Sequence, residues 1–178
     1  MKYCRKYVSP VGELTIVSDG KYLTGLLFEK EMAGADYCET DVPESAEKIM
    51  DVAELWLDKY FAREKVNLPK FPKLTVGGKK IELLPEGTEF AMEVWKMLCE
   101  IPYGESVTYG DIARRMAVIC GKNRMSAQAV GGAVGSNPIS LIIPCHRVLG
   151  FGGKLTGYGG GIENKAWLLD HEGIEYKG

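Results

Sequence analysis

Histidine is scarce in this chain: among 178 residues only His146 and His171 occur. Structural zinc sites usually combine cysteines with histidines at short spacings. Cys4 and Cys38, the two cysteines of the N-terminal half, have no histidine near them in the sequence. The sequence therefore predicts no metal site.

Long apolar runs are also missing. No stretch approaches the roughly 20 apolar residues that a membrane span needs, and the N-terminal segment 1–6 leads into no signal-peptide core. Five cysteines, an odd and scattered set, argue against a disulfide framework and for a reducing compartment. We expect a cytoplasmic protein that makes no membrane contact.

The net charge of −2 does not by itself indicate a nucleic-acid partner. The distribution of charge says more, because residues 111–154 contain six basic side chains and a single acidic one, Asp111. Such a stretch can be an electrostatic footprint for phosphates. A solvated surface with a chance cluster of charge explains it equally well.

The chain length suits one domain or two small ones. Residues 3–28 carry strand-forming residues around an Asp19-Gly20 turn, and residues 44–64 then take up a helical period of apolar side chains. Residues 65–86 are rich in proline, glycine and lysine, with a small hairpin predicted at 76–79. We place a domain boundary between residues 85 and 86, and find no catalytic constellation in residues 1–85.

Helix-start signals recur in the second half. Thr88 can cap one helix, Thr108 and Asp111 form a predicted capping box for another, and Ser126 can cap a third that runs from Ala127 to about 136. Two short helices joined by a turn, at 109–136, predict a helix-turn-helix. Two ordinary packed helices remain the alternative.

The last of these helices has almost no side chains, since Gly131, Gly132 and Gly135 lie among alanines. Each glycine costs about 1 kcal/mol relative to alanine inside a helix. A fold tolerates that cost where something large approaches the backbone closely. A tight helix–helix contact inside the protein is the competing explanation.

A reactive cysteine is predicted at Pro144-Cys145-His146-Arg147. Pro144 should end a short buried strand and begin a turn. Arg147 and a protonated His146 would favour the thiolate of Cys145. The alternative is an inert core cysteine, because free cysteines are often buried.

This motif resembles the acceptor site of the O6-alkylguanine-DNA alkyltransferases, the methylated-DNA–protein-cysteine methyltransferases. The similarity extends in the family's order over the C-terminal half. It covers 87–90, 94–95, 101–104, 108–109, 129–133, 137–138, 144–148, 155–158, 167–169 and 171–173.

The resemblance implies a fold and an activity. The fold would be an N-terminal α/β domain of ribonuclease-H-like topology (antiparallel sheet plus helix, 1–85), then a mainly α, winged helix-turn-helix-like domain (86–178). The activity would be suicidal transfer of the alkyl group from O6-alkylguanine, and from O4-alkylthymine, in double-stranded DNA to a cysteine. No cofactor is implied, and the protein would act as a monomer on a flipped-out base, with its bare helix in the minor groove.

The same resemblance assigns roles to residues. Cys145 would accept the alkyl group, His146 would act as base through a water, and Glu172 would orient and charge the imidazole. Asn137 would brace the active-site turn. Tyr109 would donate a proton to the leaving guanine, and Lys165 would assist that donation. The substrate pocket would include Val134, Ser140, Val148, Tyr158 and Gly159, with backbone groups of Cys145 and Val148 reading the guanine edge. The DNA contacts would be Arg124, Ser126, Ala127, Gln128, Ala129, Gly131, Gly132 and Arg147.

One position departs from the family pattern. Gln128 stands where an arginine typically fills the space left by the flipped base, which puts flipping or DNA affinity in question more than the chemistry. Ser140, where some relatives have proline, suggests a roomier pocket.

Three other functions compete. A cysteine hydrolase would use the same chemistry but normally places its histidine far away in sequence. A binding module that recognises damaged DNA would need no nucleophile, and a redox sensor would need only a reactive thiol.

Overall fold

The computed structural model describes residues 1–32 and 38–178, which fold as two compact units, Met1–Glu86 and Gly87–Gly178. In the part of the chain described there are five α-helices, and none is long and apolar enough to cross a membrane.

The first unit is a four-stranded sheet with one long helix against it. Its strands are β1 (Lys2–Ser9), β2 (Gly12–Ser18), β3 (Leu23–Phe28) and β4 (Cys38–Glu39), in the order β3-β2-β1-β4. The β1–β2 and β2–β3 pairs are antiparallel, as predicted, while the short β4 lies parallel to β1.

Helix α1 (Glu44–Phe61) confirms the helical period of this region. It buries one apolar face, with Ile49, Ala53, Trp56 and Tyr60 at spacings of three and four residues. The hairpin of β5 (Lys73–Val76) and β6 (Lys79–Glu82) completes the unit at the predicted turn.

A disulfide joins Cys4 of β1 to Cys38 of β4, 34 residues away. The expectation that the cysteines form no disulfide framework is therefore wrong for this pair. The two cysteines are brought together by the parallel β1–β4 contact, which no cysteine spacing in the sequence indicates.

The second unit is mainly helical, with α2 (Glu89–Leu98), α3 (Tyr109–Ile119), α4 (Ala127–Gly135) and α5 (Ile162–Glu172). All three predicted caps are present: Thr88 accepts from Ala91 N–H, Ser126 accepts from the N–H groups of residues 128 and 129, and Thr108 forms a capping box with Asp111. Helices α2 and α3 pack against α4, and the buried Trp95 Nε1 donates to the Ala133 carbonyl at 2.9 Å. This bond fixes the depth at which α4 sits on its own unit.

A two-residue parallel pair, β7 (Val107–Thr108) and β8 (Val148–Leu149), links the start of α3 to the segment after Cys145. The pair is too short to leave a periodic signal in the sequence. It places the N-terminus of α3 beside the reactive turn.

Candidate active site

The segment before the cysteine is a buried turn, and the predicted strand ending at Pro144 is wrong. The side chain of Asn137 explains the difference, because Oδ1 accepts from Ile139 N–H at 3.0 Å and Nδ2 donates to the Ile143 carbonyl at 2.8 Å. These bonds satisfy backbone groups that a strand would give to a neighbour. Leu141 takes a left-handed conformation (φ 66°) within the turn. Asn137 thus connects both ends of the segment that leads to the cysteine.

Cys145 begins a single 3-10 turn, Cys145–Arg147. Its backbone N–H donates to the Ile143 carbonyl at 2.8 Å, which continues the turn directly into the nucleophile. The residue is 6 % exposed, unlike His146 at 0 %. The cysteine therefore keeps a small exposed fraction within a buried surround.

The imidazole of His146 is held by a carboxylate from another element. Its Nε2 is hydrogen-bonded to Oε2 of Glu172, the last residue of α5. Oε1 of the same carboxylate accepts from Arg147 Nε at 2.7 Å and from Gly104 N–H at 3.1 Å. With Nε2 donating to the carboxylate, the lone pair of Nδ1 is the basic site of a neutral ring.

The electrostatics favour a neutral imidazole and an ionised carboxylate. Burial lowers the pKa of His146, and the cations Arg147 and Lys165 lower it further, against an opposing effect of Glu172. Burial would raise the pKa of Glu172, but bonds from His146, Arg147 and Gly104 lower it to about 2. Glu172 bonds the imidazole and favours its charged form, but the net direction for the His146 pKa is downward because burial outweighs that effect.

Two further predicted residues lie next to this group. Burial lowers the pKa of Lys165 to about 8, with Cys145 opposing, and its ammonium lies 5.8 Å from the ring centroid of Tyr109. Burial also raises the pKa of the Tyr109 phenol, which keeps its proton at neutral pH. Tyr109 therefore carries a proton at neutral pH, beside a lysine whose pKa lies close to neutral.

The backbone of Val148 is less available than expected. Its N–H donates to the Cys145 carbonyl, and its carbonyl accepts from Lys165 Nζ at 2.6 Å. These bonds occupy the Val148 N–H and one lone pair of each of the two carbonyls that were expected to read the guanine edge. Of the other predicted pocket residues, Val134 and Ser140 are buried, Tyr158 is half-buried and Gly159 is exposed.

The bare face of α4 is open to the outside. A Cβ atom built on Gly131, Gly132 or Gly135 would meet no atom within 4 Å. This excludes, for the described residues, the explanation that these glycines serve a tight contact inside the protein. Gln128 is exposed one turn earlier, next to the exposed residues Ala127 and Ala129.

The basic stretch 111–154 divides into three parts. Arg114 and Arg115 are paired with Asp111 and Glu100. Arg147 is 2 % exposed and bonded to Glu172 and the Ile101 carbonyl, so its predicted contact with DNA is wrong. Within residues 111–154, the exposed cations that form no ion pair with other described residues are Lys122, Arg124 and Lys154.

Sequence reasoning missed the groups that complete the site: the Ile101 carbonyl, the Gly104 N–H and the side-chain role of Arg147. None carries a local signal, because each acts through a partner 25 to 68 residues away. Among the described residues, no group of three or more His, Cys, Asp or Glu side chains is arranged to hold a metal ion.

Comparison with known proteins identifies both units. Residues 2–72 match the model of the 6-O-methylguanine DNA methyltransferase ribonuclease-like domain, and residues 89–174 match that of the DNA binding domain of the same family. The chain is 42 % identical, over 98 % of its length and 88 % of the relative's, to a methylated-DNA–protein-cysteine methyltransferase of Haemophilus influenzae. A protein of the same name from Methanosarcina acetivorans is 40 % identical over 96 % of this chain and 98 % of its own.

A solved structure agrees over both units. The Mycobacterium tuberculosis protein OGT, crystallised in complex with DNA, is 39 % identical and superposes with a TM-score of 0.73. The match covers 96 % of this chain and 92 % of the other. The α/β unit followed by a helical DNA-binding unit, expected from the sequence, is confirmed.

Proposed function

This chain belongs to the 6-O-methylguanine DNA methyltransferase family, and on that premise we propose that it repairs alkylated DNA directly. It transfers the alkyl group from O6-alkylguanine, and from O4-alkylthymine, in duplex DNA to Cys145. The observation that carries the proposal is the turn in which Cys145 precedes a neutral, buried His146 held by Glu172. A thiol needs such a base, because only a few per cent of a free thiol is ionised near neutral pH.

The proposed reaction transfers one alkyl group to sulfur and is accompanied by three proton transfers. His146 Nδ1 takes the proton of Cys145 through a bridging water, and the thiolate sulfur attacks the alkyl carbon. The bond from that carbon to O6 breaks, its electron pair stays with guanine, and Tyr109 donates a proton to the leaving base. Lys165, with its pKa lowered to about 8, can restore the proton to Tyr109.

The product is a thioether, which no group of the described site can reverse. Each chain therefore reacts once, and repair is stoichiometric with protein. The chemistry needs no cofactor, since sulfur is the acceptor and the protons come from side chains.

For DNA engagement we propose that α4 enters the minor groove with its open glycine face. The absence of any atom near a built Cβ supports this, because the face is bare without an internal reason. The target base is flipped out of the stack at a cost of a few kcal/mol, and Gln128 fills the space it leaves. Arg124 lies in the loop before α4, where it can reach a phosphate.

We also propose that the protein acts in the cytoplasm as a monomer. Duplex DNA, its proposed substrate, is an intracellular polymer, and the proposed proton and alkyl transfers use only Cys145, His146, Glu172, Tyr109 and Lys165 of this chain.

The test is intact-protein mass spectrometry after incubation with a duplex that carries one O6-methylguanine. We expect a gain of one methyl group in place of a hydrogen, absent in Cys145→Ala and present in Cys120→Ala, which removes an exposed free cysteine instead. No gain with the damaged duplex still bound would make the chain a recognition module. Neither gain nor binding, with turnover of a small ester, would favour a hydrolase.

A further inference from the structure

Arg147 is a cation enclosed by the protein beside the proposed reaction centre. It is 2 % exposed, its Nη1 donates to the Ile101 carbonyl at 2.7 Å, and its guanidinium carbon lies 5.8 Å from the ring centroid of Tyr103. Burying a charge is costly unless it is paired and hydrogen-bonded. Its partner is Glu172, through the Nε–Oε1 bond of 2.7 Å.

Arg147 and His146 share that one carboxylate. His146 bonds Oε2 while Arg147 and the Gly104 N–H bond Oε1. Consecutive residues of one 3-10 turn thus hold both oxygens of a group delivered by α5. The positive charge of Arg147 balances the negative charge of Glu172 at hydrogen-bonding distance.

Burial is the largest cause of the lowered His146 pKa, and the charges around the ring add to it or oppose it. The ionisable groups around the imidazole are Glu172 and Lys165 from α5 and Cys145 and Arg147 from its own turn, with Tyr109 of α3 beyond Lys165. A carboxylate without a counter-charge would favour the imidazolium, which has no lone pair for a proton. Beside a balanced carboxylate the ring is oriented and stays neutral.

We propose that Arg147 is a positioning residue of the alkyl transfer: it holds Glu172 and balances its charge, so that His146 remains neutral and accepts the proton of Cys145. The consequence for the reaction rests on the proposed function, whereas the effect on His146 can be measured without substrate.

The two histidines of the chain make the test specific. In protein labelled at histidine Cε1, NMR would follow His146 and His171 as separate signals across a pH titration. In Arg147→Gln we expect the midpoint of His146 to rise by about one pH unit, the size that a nearby unit charge commonly produces. Arg147→Lys, which keeps the positive charge, should hold His146 close to its wild-type midpoint.

The rate of methyl transfer at saturating duplex gives the second readout. In Arg147→Gln the acid limb of the pH–rate profile should move to higher pH together with the His146 midpoint. A shift of one pH unit makes methyl transfer about tenfold slower at the pH values of that limb. A purely structural role would lower the thermal midpoint of unfolding without moving the profile.

Two results would overturn the proposal: an unchanged His146 midpoint in Arg147→Gln, or an equal shift in Arg147→Lys. If Arg147→Gln does not fold, citrulline at position 147, introduced by joining a synthetic 145–178 peptide, removes the charge and keeps Nε–H. Failure of the wild-type protein to take up a methyl group would refute the repair function and leave the titration result standing.

Discussion

Gly132→Ala is expected to make the protein more stable and a weaker DNA binder. Gly132 is exposed within α4, and a Cβ built there meets no atom within 4 Å. Nothing in its own unit therefore opposes the new methyl group. Any loss of DNA affinity in this variant must therefore come from contact between the new methyl group and the bound DNA.

The two effects can be estimated separately. Alanine in place of glycine inside a helix gains about 1 kcal/mol, which for a chain of 178 residues raises the melting temperature by about 2–4 °C. A methyl group forced into a close-packed contact costs about 1–3 kcal/mol. If α4 lies in the minor groove, the Kd for duplex DNA should rise about 5- to 150-fold.

Thermal unfolding and fluorescence anisotropy with a labelled duplex would measure both. The rate of methyl transfer at saturating duplex should stay near wild type, because the side chains of the proposed reaction centre lie outside α4. Ser45→Ala, an exposed change in α1, is the control for stabilisation without bulk on α4. A stabilised Gly132→Ala that binds DNA as tightly as wild type would refute the minor-groove placement of α4.

Three other changes test separate parts of the molecule. Gln128→Arg should tighten duplex binding and speed methyl transfer, because it adds charge near the phosphates. A Kd and a transfer rate equal to those of the wild type would contradict this prediction. Glu172, with a folded pKa of about 2 against about 4.3 unfolded, should stabilise the fold above pH 4.3 and lose that stabilisation as pH falls toward 2, by about 3 kcal/mol. Urea unfolding should then show a smaller acid loss in Glu172→Gln, and parallel curves for the two proteins would contradict it. Reductant should lower the melting temperature of the wild type, since a bridge over a 34-residue separation contributes roughly 4 kcal/mol. The Cys4→Ser/Cys38→Ser double variant should not respond to reductant, and an insensitive wild type would mean that the bond does not form in solution.

Local structure followed from the sequence because its interactions join near neighbours. The Thr108–Asp111 capping box and the Thr88 and Ser126 caps bond groups two or three residues apart. The sequence also pointed to Cys145 and His146, since they are adjacent, and the motif resemblance supplied Glu172 from the end of the chain.

Only the tertiary structure decided how those residues work. The Glu172 carboxylate meets His146 from 26 residues away and Gly104 from 68, and Arg147 reaches Ile101 across 46. Those contacts turned a residue predicted to bind DNA into a buried counter-charge. The Cys4–Cys38 bond follows the same rule, because a thiol finds its partner only where distant segments pack together, here across 34 residues. No local pattern of residues records that packing.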